Sequence, residues 1–338
     1  MEGRKRPLSD RIDLSLASLV PLIAIGVEVL FQIIVLAFPL SESAHTWVVV
    51  VGNQVVFFLT CLVFTRLKGI SLASLTGVKR VPKVYLFPLF ALIAVLCVFA
   101  FAPIAGLFSS LLASLGYTYV PQYFVPFDHV GLFVLALLGL SLLPAIGEET
   151  LMRGVLLSGA KRKSPVFAIW FTALVFALFH GNLVQLVHQF LLGAVMAYLV
   201  LLTRSIWASA VVHAVNNATA LLVEFLYAKD AIGSSAYGYF VADFSSGLSA
   251  GAFVGVFLAA FLLLAGALAL VTYLIKGART RAGETVTGLT SLLADPTSGD
   301  SEPSSEGDWQ SYGKFIPVLL VVMLSLFVIA SVISEAMK

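Results

Sequence analysis

Charged residues are scarce in this sequence, and their scarcity indicates which solvent surrounds the chain. Asp, Glu, Lys and Arg make up 11% of the 338 residues and hydrophobic residues make up 60%. A soluble domain has about a quarter charged residues and about half apolar ones. The net charge is only +2, and no basic stripe indicates a nucleic-acid partner. We therefore expect an all-α, polytopic membrane protein whose surroundings are the lipid bilayer.

Cysteine is nearly absent. Cys61 and Cys97 lie in apolar runs, without the C-x-x-C or Cys/His spacings that predict a disulfide framework or a zinc knuckle. Both are predicted to be buried thiols. The sequence also contains no H-E-x-x-H zinc motif, so that hydrolase signature is not available.

Long hydrophobic stretches are the dominant feature of the chain. A helix that crosses about 30 Å of hydrocarbon needs about 20 apolar residues, and nine stretches approach or exceed this length. They span about 14–38, 47–65, 85–115, 130–160, 166–180, 186–202, 206–227, 251–275 and 315–333. We predict a helical bundle of about 8–9 transmembrane helices. The first stretch is too long for a signal peptide and is predicted to be an uncleaved anchor.

Lysine and arginine are concentrated at alternate ends of these stretches. They precede the first stretch and recur in 66–83, in 161–163, at Arg204 and in 276–281. Short cytoplasmic loops carry an excess of basic residues. The pattern predicts a multi-pass protein of the cell membrane with a cytoplasmic amino terminus and a carboxy terminus outside.

One region departs from the membrane composition. From Glu284 to Tyr312 the chain is rich in Ser, Thr, Gly, Pro and acidic residues and contains no Lys or Arg. Such a segment has too little apolar surface to fold alone. It is predicted to be a flexible linker before the last hydrophobic stretch.

Ionisable residues inside hydrophobic stretches are functional by default, although many have a structural role. Glu28, near the middle of the first stretch, fits a proton carrier or a protonated acid bonded to a neighbouring helix. Asn53 and Gln54 fit interhelical contacts. The fourth to seventh stretches hold a denser set of polar residues: Glu148, Glu149, Arg153, His180, His213 and Asn217.

Helical spacing and depth bring this set together. Glu149 and Arg153 are four residues apart and share a helical face, whereas Glu148 points about 100° away. His213 and Asn217 also share a face. At about 1.5 Å per residue, the glutamates, histidines and Asn217 all lie roughly 14–25 Å from the basic ends of their helices. This agreement predicts one site within the membrane.

The residue types favour hydrolysis. Arg153 is expected to neutralise Glu149, which leaves Glu148 as the titrating carboxylate. A carboxylate beside an imidazole can take a proton from water and return it to a leaving amine. An asparagine amide and a second histidine can donate to the oxyanion that forms when water adds to a carbonyl.

The motifs resemble a known family. "EETLMR", "FALFH" and "HAVNN" match E-E-x-x-x-R, F-x-x-x-H and H-x-x-x-N in the order found in the type II CAAX prenyl proteases. The closer likeness is to the bacterial branch of CAAX protease and bacteriocin-processing (CPBP) proteins, and it covers about 131–226. The resemblance implies an intramembrane endopeptidase acting on a peptide or membrane-protein substrate. In it, Glu148 and His180 activate water, His213 and Asn217 stabilise the oxyanion, and Glu149 and Arg153 support them.

The hydrophobic stretches and the resemblance together divide the chain. The resemblance implies a catalytic helical core in 129–227. The hydrophobic pattern and composition predict about three amino-terminal transmembrane helices in 1–128, an extra transmembrane helix in 228–280, a flexible acidic linker in 281–313 and the last transmembrane helix in 314–338.

Three alternatives remain open from the sequence. Glu148, His180 and His213 are a possible zinc set, although the mechanism favoured in the family needs no metal and no cofactor is expected. A transporter or proton channel also places acids, His and Asn at mid-depth, with Glu28 as a relay. A non-catalytic membrane scaffold or immunity protein would keep the fold and use its loops for binding.

Overall fold

The computed structural model describes residues 12–117, 129–294 and Leu324. Within these ranges the regular secondary structure is helical throughout, and seven helices are long and apolar enough to cross a membrane. The helices are α1 Leu14–Leu36, α2 Glu42–Leu67, α3 Leu72–Thr76, α4 Leu86–Ser114, α5 Val130–Ala160, α6 Pro165–Phe179, α7 Leu186–Thr203, α8 Ile206–Ala228, α9 Ser234–Val241, α10 Ala250–Arg281 and α11 Leu289–Leu293. The prediction of an all-α, polytopic membrane bundle is confirmed.

The predicted hydrophobic stretches correspond to individual helices. Each stretch before residue 276 coincides with one of α1, α2, α4, α5, α6, α7, α8 and α10. Of these, α6 has only 15 residues, fewer than a full crossing requires. The last predicted stretch, 315–333, lies outside the described residues apart from Leu324.

Helix α5 changes its winding on both sides of the two glutamates. Leu137–Leu142 and Thr150–Leu156 are π-helical, and Leu143–Glu149 between them is α-helical. A π-helical turn shifts the backbone hydrogen bonds by one residue and is frequent at functional sites. The winding of α5 therefore marks the stretch that carries Glu148 and Glu149.

Helix packing encloses this stretch. Helices α1 and α2 pack together and against α5, α8 packs against α5 and α4, and α6 pairs with α7. The main cluster of buried apolar residues includes Met152 on α5, Phe176 on α6 and Met196 on α7. Polar groups on the inner face of α5 are therefore surrounded by apolar side chains.

The predicted linker needs a correction at its start. Helix α11 lies inside it and packs against α6 and α7, with Leu292 and Leu293 buried. Glu284 accepts hydrogen bonds from Arg204 at the end of α7, at 3.0 and 3.3 Å. Two leucines and one ion pair hold this part of a polar segment against the bundle, which its average composition does not reveal. Residues 295–313 lie outside the described ranges.

Candidate active site

Glu149 is the buried centre of the polar cluster. It is fully buried, and its Oε1 atom accepts hydrogen bonds from Arg153 at 2.8 Å and from Nδ1 of His213 at 2.9 Å. The first contact follows from the i,i+4 spacing on α5, and the second joins α5 to α8. Because a buried charge needs a partner of opposite sign, Glu149 and Arg153 stabilise each other.

Arg153 has further contacts that fix its position. Its second terminal nitrogen donates to the carbonyl of Gly193 on α7 at 3.1 Å, and its guanidinium lies 4.4 Å from the centre of the Phe176 ring. A Cβ atom at Gly193 would lie 3.1 Å from Cα of Ala173. Glycine at position 193 therefore allows α6 and α7 to approach closely. Arg153 contacts both helices there, through Phe176 and the Gly193 carbonyl.

Glu148 has different partners from Glu149. It is 9% exposed, and its Oε1 atom accepts a hydrogen bond from Nε2 of Gln54 on α2 at 3.0 Å. Its Oε2 atom is buried, lies 3.9 Å from Nε2 of His213 and has no hydrogen-bond donor among the described residues. Arg153 is hydrogen-bonded to Glu149 and not to Glu148, although it also interacts electrostatically with Glu148.

His180 follows the last residue of α6, and Gly181, with φ of 58°, turns the chain away. Nδ1 of His180 lies 2.8 Å from the carbonyl oxygen of Phe176. Because a carbonyl only accepts, Nδ1 is the donor and Nε2 of the neutral ring carries the lone pair. The Phe176 ring lies 4.7 Å from the ring of His180 and 5.7 Å from that of His213, centre to centre. His180 also interacts electrostatically with Glu148 and His213. It is therefore available as a base at this site.

Asn217 lies one helical turn beyond His213 and is half-buried. Its side-chain nitrogen donates to the carbonyl of Leu140 at 3.0 Å, and its oxygen accepts from Asn216 at 3.4 Å. Leu140 belongs to the first π-helical segment of α5. In the described chain Asn217 forms no hydrogen bond to the glutamates or histidines. The amide is held in place by α5 and keeps a second N–H for another acceptor.

Two features of the site were not assigned to it from the sequence. Gln54 was interpreted as an interhelical contact, and the carbonyl of Leu140 carries no sequence signal. A polar residue in an apolar helix is the only available signal for Gln54, and many residues share it. Glu28, by contrast, has its own partners on α1 and α2: its Oε1 atom accepts from Asn53 at 2.8 Å and from Gln32 at 3.1 Å.

The proposed zinc set does not form a metal site in this geometry. Among the described residues, no three His, Cys, Asp or Glu side chains are grouped closely enough to hold a metal ion. The Nδ1 atoms of His180 and His213 already donate to the Phe176 carbonyl and to Glu149. These hydrogen bonds leave Nε2 of each ring free, so it is the separation of the three side chains that disfavours a zinc centre.

Comparison with known proteins gives a match to a family model. No match was found among curated proteins or among solved structures. Residues 130–219 match a family model, and this segment contains α6, α7 and the polar residues of α5 and α8 described above. The resemblance seen in the motifs is confirmed for this segment, which matches the family described as "Type II CAAX prenyl endopeptidase Rce1-like".

Proposed function

We propose that this protein is an intramembrane endopeptidase that hydrolyses peptide bonds of membrane-associated peptides or proteins with water activated by Glu148 and His180. The observation that carries the proposal is the state of Glu148. One carboxylate oxygen is held by Gln54, and the other is buried, without a donor in the described chain and 3.9 Å from Nε2 of His213. A carboxylate in this position can bind and deprotonate water.

The first step forms a carbon–oxygen bond. Water gives a proton to Glu148, directly or through the lone pair on Nε2 of His180, while its oxygen attacks the peptide carbonyl carbon. The carbonyl π electrons move to the oxygen and produce a tetrahedral oxyanion. Arg153 is paired with Glu149, so the transferred proton resides on Glu148 or on a histidine.

The oxyanion needs donors at the point where its charge develops. The second N–H of Asn217 is one donor, because the first N–H is used by Leu140. Nε2 of His213 is the other donor when the ring is protonated, since Nδ1 already donates to Glu149. Glu149 holds Nδ1 of His213 in this orientation and is itself paired with Arg153, which assigns Glu149 and Arg153 a supporting role.

The second step breaks the carbon–nitrogen bond. The oxyanion re-forms the carbonyl, and the departing nitrogen takes the proton from Glu148. One water is consumed, and the products are a carboxylic acid and an amine. Glu148 returns to its starting charge without a metal or a cofactor taking part in any of these steps.

A comparison of membrane peptides tests the proposal. Membranes carrying the natural chain, Glu148→Ala or His180→Ala are incubated, and released peptides are identified by mass spectrometry. We expect products only with the natural chain, with both variants extractable and folded in detergent. Identical products from all three membranes would refute the peptidase. Proton flux in proteoliposomes that disappears in Glu28→Gln would instead support a transporter.

We also propose the orientation that the basic residues predict, in the cell membrane with a cytoplasmic amino terminus and an outside carboxy terminus. Both natural cysteines are buried, so background labelling is expected to be low. In intact cells, an impermeant thiol reagent should label Ser234→Cys and leave Lys79→Cys unlabelled. The opposite pattern would reverse the topology.

A further inference from the structure

A residue outside the matched segment contacts the proposed catalytic carboxylate. Gln54 lies on α2, and its Nε2 atom is 3.0 Å from Oε1 of Glu148. Because an ionised carboxylate only accepts hydrogen bonds, the amide nitrogen is the donor. Among the described residues, Gln54 is the only hydrogen-bond donor to the Glu148 carboxylate.

The close approach of α2 and α5 depends on Gly147, the residue before Glu148. A Cβ atom at position 147 would lie 2.8 Å from the backbone oxygen of Gln54 and 3.2 Å from its Cα atom. Even the smallest side chain would therefore push the helices apart. The two backbones touch beside the carboxylate, so a glutamine side chain is long enough to reach it.

The contact is selective within α2. Asn53, the preceding residue, donates to Glu28 on α1 at 2.8 Å, and Gln32 donates to the same oxygen at 3.1 Å. The side-chain amides of Asn53 and Gln54 thus donate to different carboxylates, and within α2 only Gln54 donates to Glu148. Occupation of Oε1 leaves Oε2 as the oxygen that lies toward Nε2 of His213, at 3.9 Å.

We propose that Gln54 is a positioning residue of the peptidase: it holds Oε1 of Glu148 so that Oε2 receives the proton of the attacking water. The inference rests on the proposed function. Gln54 touches the carboxylate and acts through it, and the donor N–H rather than the volume of the side chain is the property that matters.

Two substitutions separate the donor from the volume. Gln54→Met keeps the length of the side chain and removes the N–H, whereas Gln54→His keeps an N–H at similar reach and changes the shape. Gln32→Met, which removes the corresponding donor to Glu28, is the matched control. The substrate is a fluorogenic peptide built from a sequence that the natural chain cleaves.

We expect Gln54→Met to lower kcat by about tenfold to a hundredfold with little change in KM, because a hydrogen bond to a charged group is lost. Gln54→His should retain most of the activity, and Gln32→Met should match the natural chain. Full activity in Gln54→Met would overturn the inference. Greater activity in Gln54→Met than in Gln54→His would also overturn it, since packing would then be the role of Gln54.

A stability cycle tests the contact without any substrate. Melting temperatures in detergent are measured for the natural chain, Gln54→Met, Gln32→Met and Glu148→Ala, and for the two double variants that combine Glu148→Ala with each glutamine substitution. We expect Gln54→Met to lower Tm less in the Glu148→Ala background than in the natural one, because the shared hydrogen bond is already lost. The Gln32→Met shift should be the same in both backgrounds. Additive shifts for Gln54 would refute the contact, whereas an inactive natural chain would refute only the peptidase.

Discussion

His213 and Glu149 are joined by a hydrogen bond between two helices, with Nδ1 of His213 2.9 Å from Oε1 of Glu149. The same oxygen accepts from Arg153 at 2.8 Å. Glu149 therefore orients an imidazole as well as compensating an arginine. Since Nδ1 is engaged, Nε2 is the atom of His213 that lies toward Glu148.

The adjacent glutamates should respond differently to the same substitution. Glu149→Gln leaves Arg153 buried without its anion, and we expect the free energy of unfolding to fall by about 3 kcal/mol. Glu148→Gln removes the proposed general base, so kcat should fall about a hundredfold or more with little loss of stability. Denaturation in detergent and peptide cleavage measure the two effects. Equal stability losses in both variants would contradict this assignment.

The amide of Asn217 can be distinguished from a simple contact between helices. Asn217→Ala should lower kcat by about a hundredfold to a thousandfold if its second N–H stabilises the oxyanion. Ser141→Ala removes a neighbouring link between α5 and α8, in which the serine hydroxyl donates to the carbonyl of Ala214 at 2.6 Å. That variant should keep its activity. A similar loss in both variants would show that only the packing of the helices matters.

Gly147 should be intolerant of a single methyl group. Gly147→Ala places a Cβ atom 2.8 Å from the backbone oxygen of Gln54, and such overpacking costs about 1–3 kcal/mol. The displacement of α2 should also lower kcat. At Gly255 on α10 a Cβ atom meets nothing within 4 Å, so Gly255→Ala should keep the natural melting temperature and activity. A Gly147→Ala protein with both properties unchanged would contradict the close approach.

Removal of metal ions should leave cleavage intact. Among the described residues, no grouped set of His, Cys, Asp or Glu is available to hold a metal. We expect the rate of peptide cleavage to persist after exhaustive dialysis against a strong chelator. Loss of activity that zinc restores would show that Glu148, His180 and His213 rearrange into a ligand set.

The local sequence was enough to predict the long helices of the bundle, whereas the short helices α3, α9 and α11 were not predicted. Long apolar runs predict transmembrane helices because hydrocarbon leaves no other partner for backbone N–H and carbonyl groups. The four-residue spacing of Glu149 and Arg153 predicts their contact because one helical turn brings such side chains together. Polar composition was a poorer guide to residues 284–294, where a few specific contacts outweigh the average.

Only the tertiary structure decided how the polar residues are divided among partners. Glu149 is bonded to both Arg153 and His213, Asn217 is held by the carbonyl of Leu140, and Gln54 reaches Glu148. Contacts between helices depend on how closely the backbones approach, as at Gly147, and on which face each helix presents. Periodicity within one helix contains neither quantity. The sequence therefore determined which helices are long and apolar enough to cross a membrane and which polar side chains they carry, and the packing of α2, α5 and α8 determined which of those side chains meet.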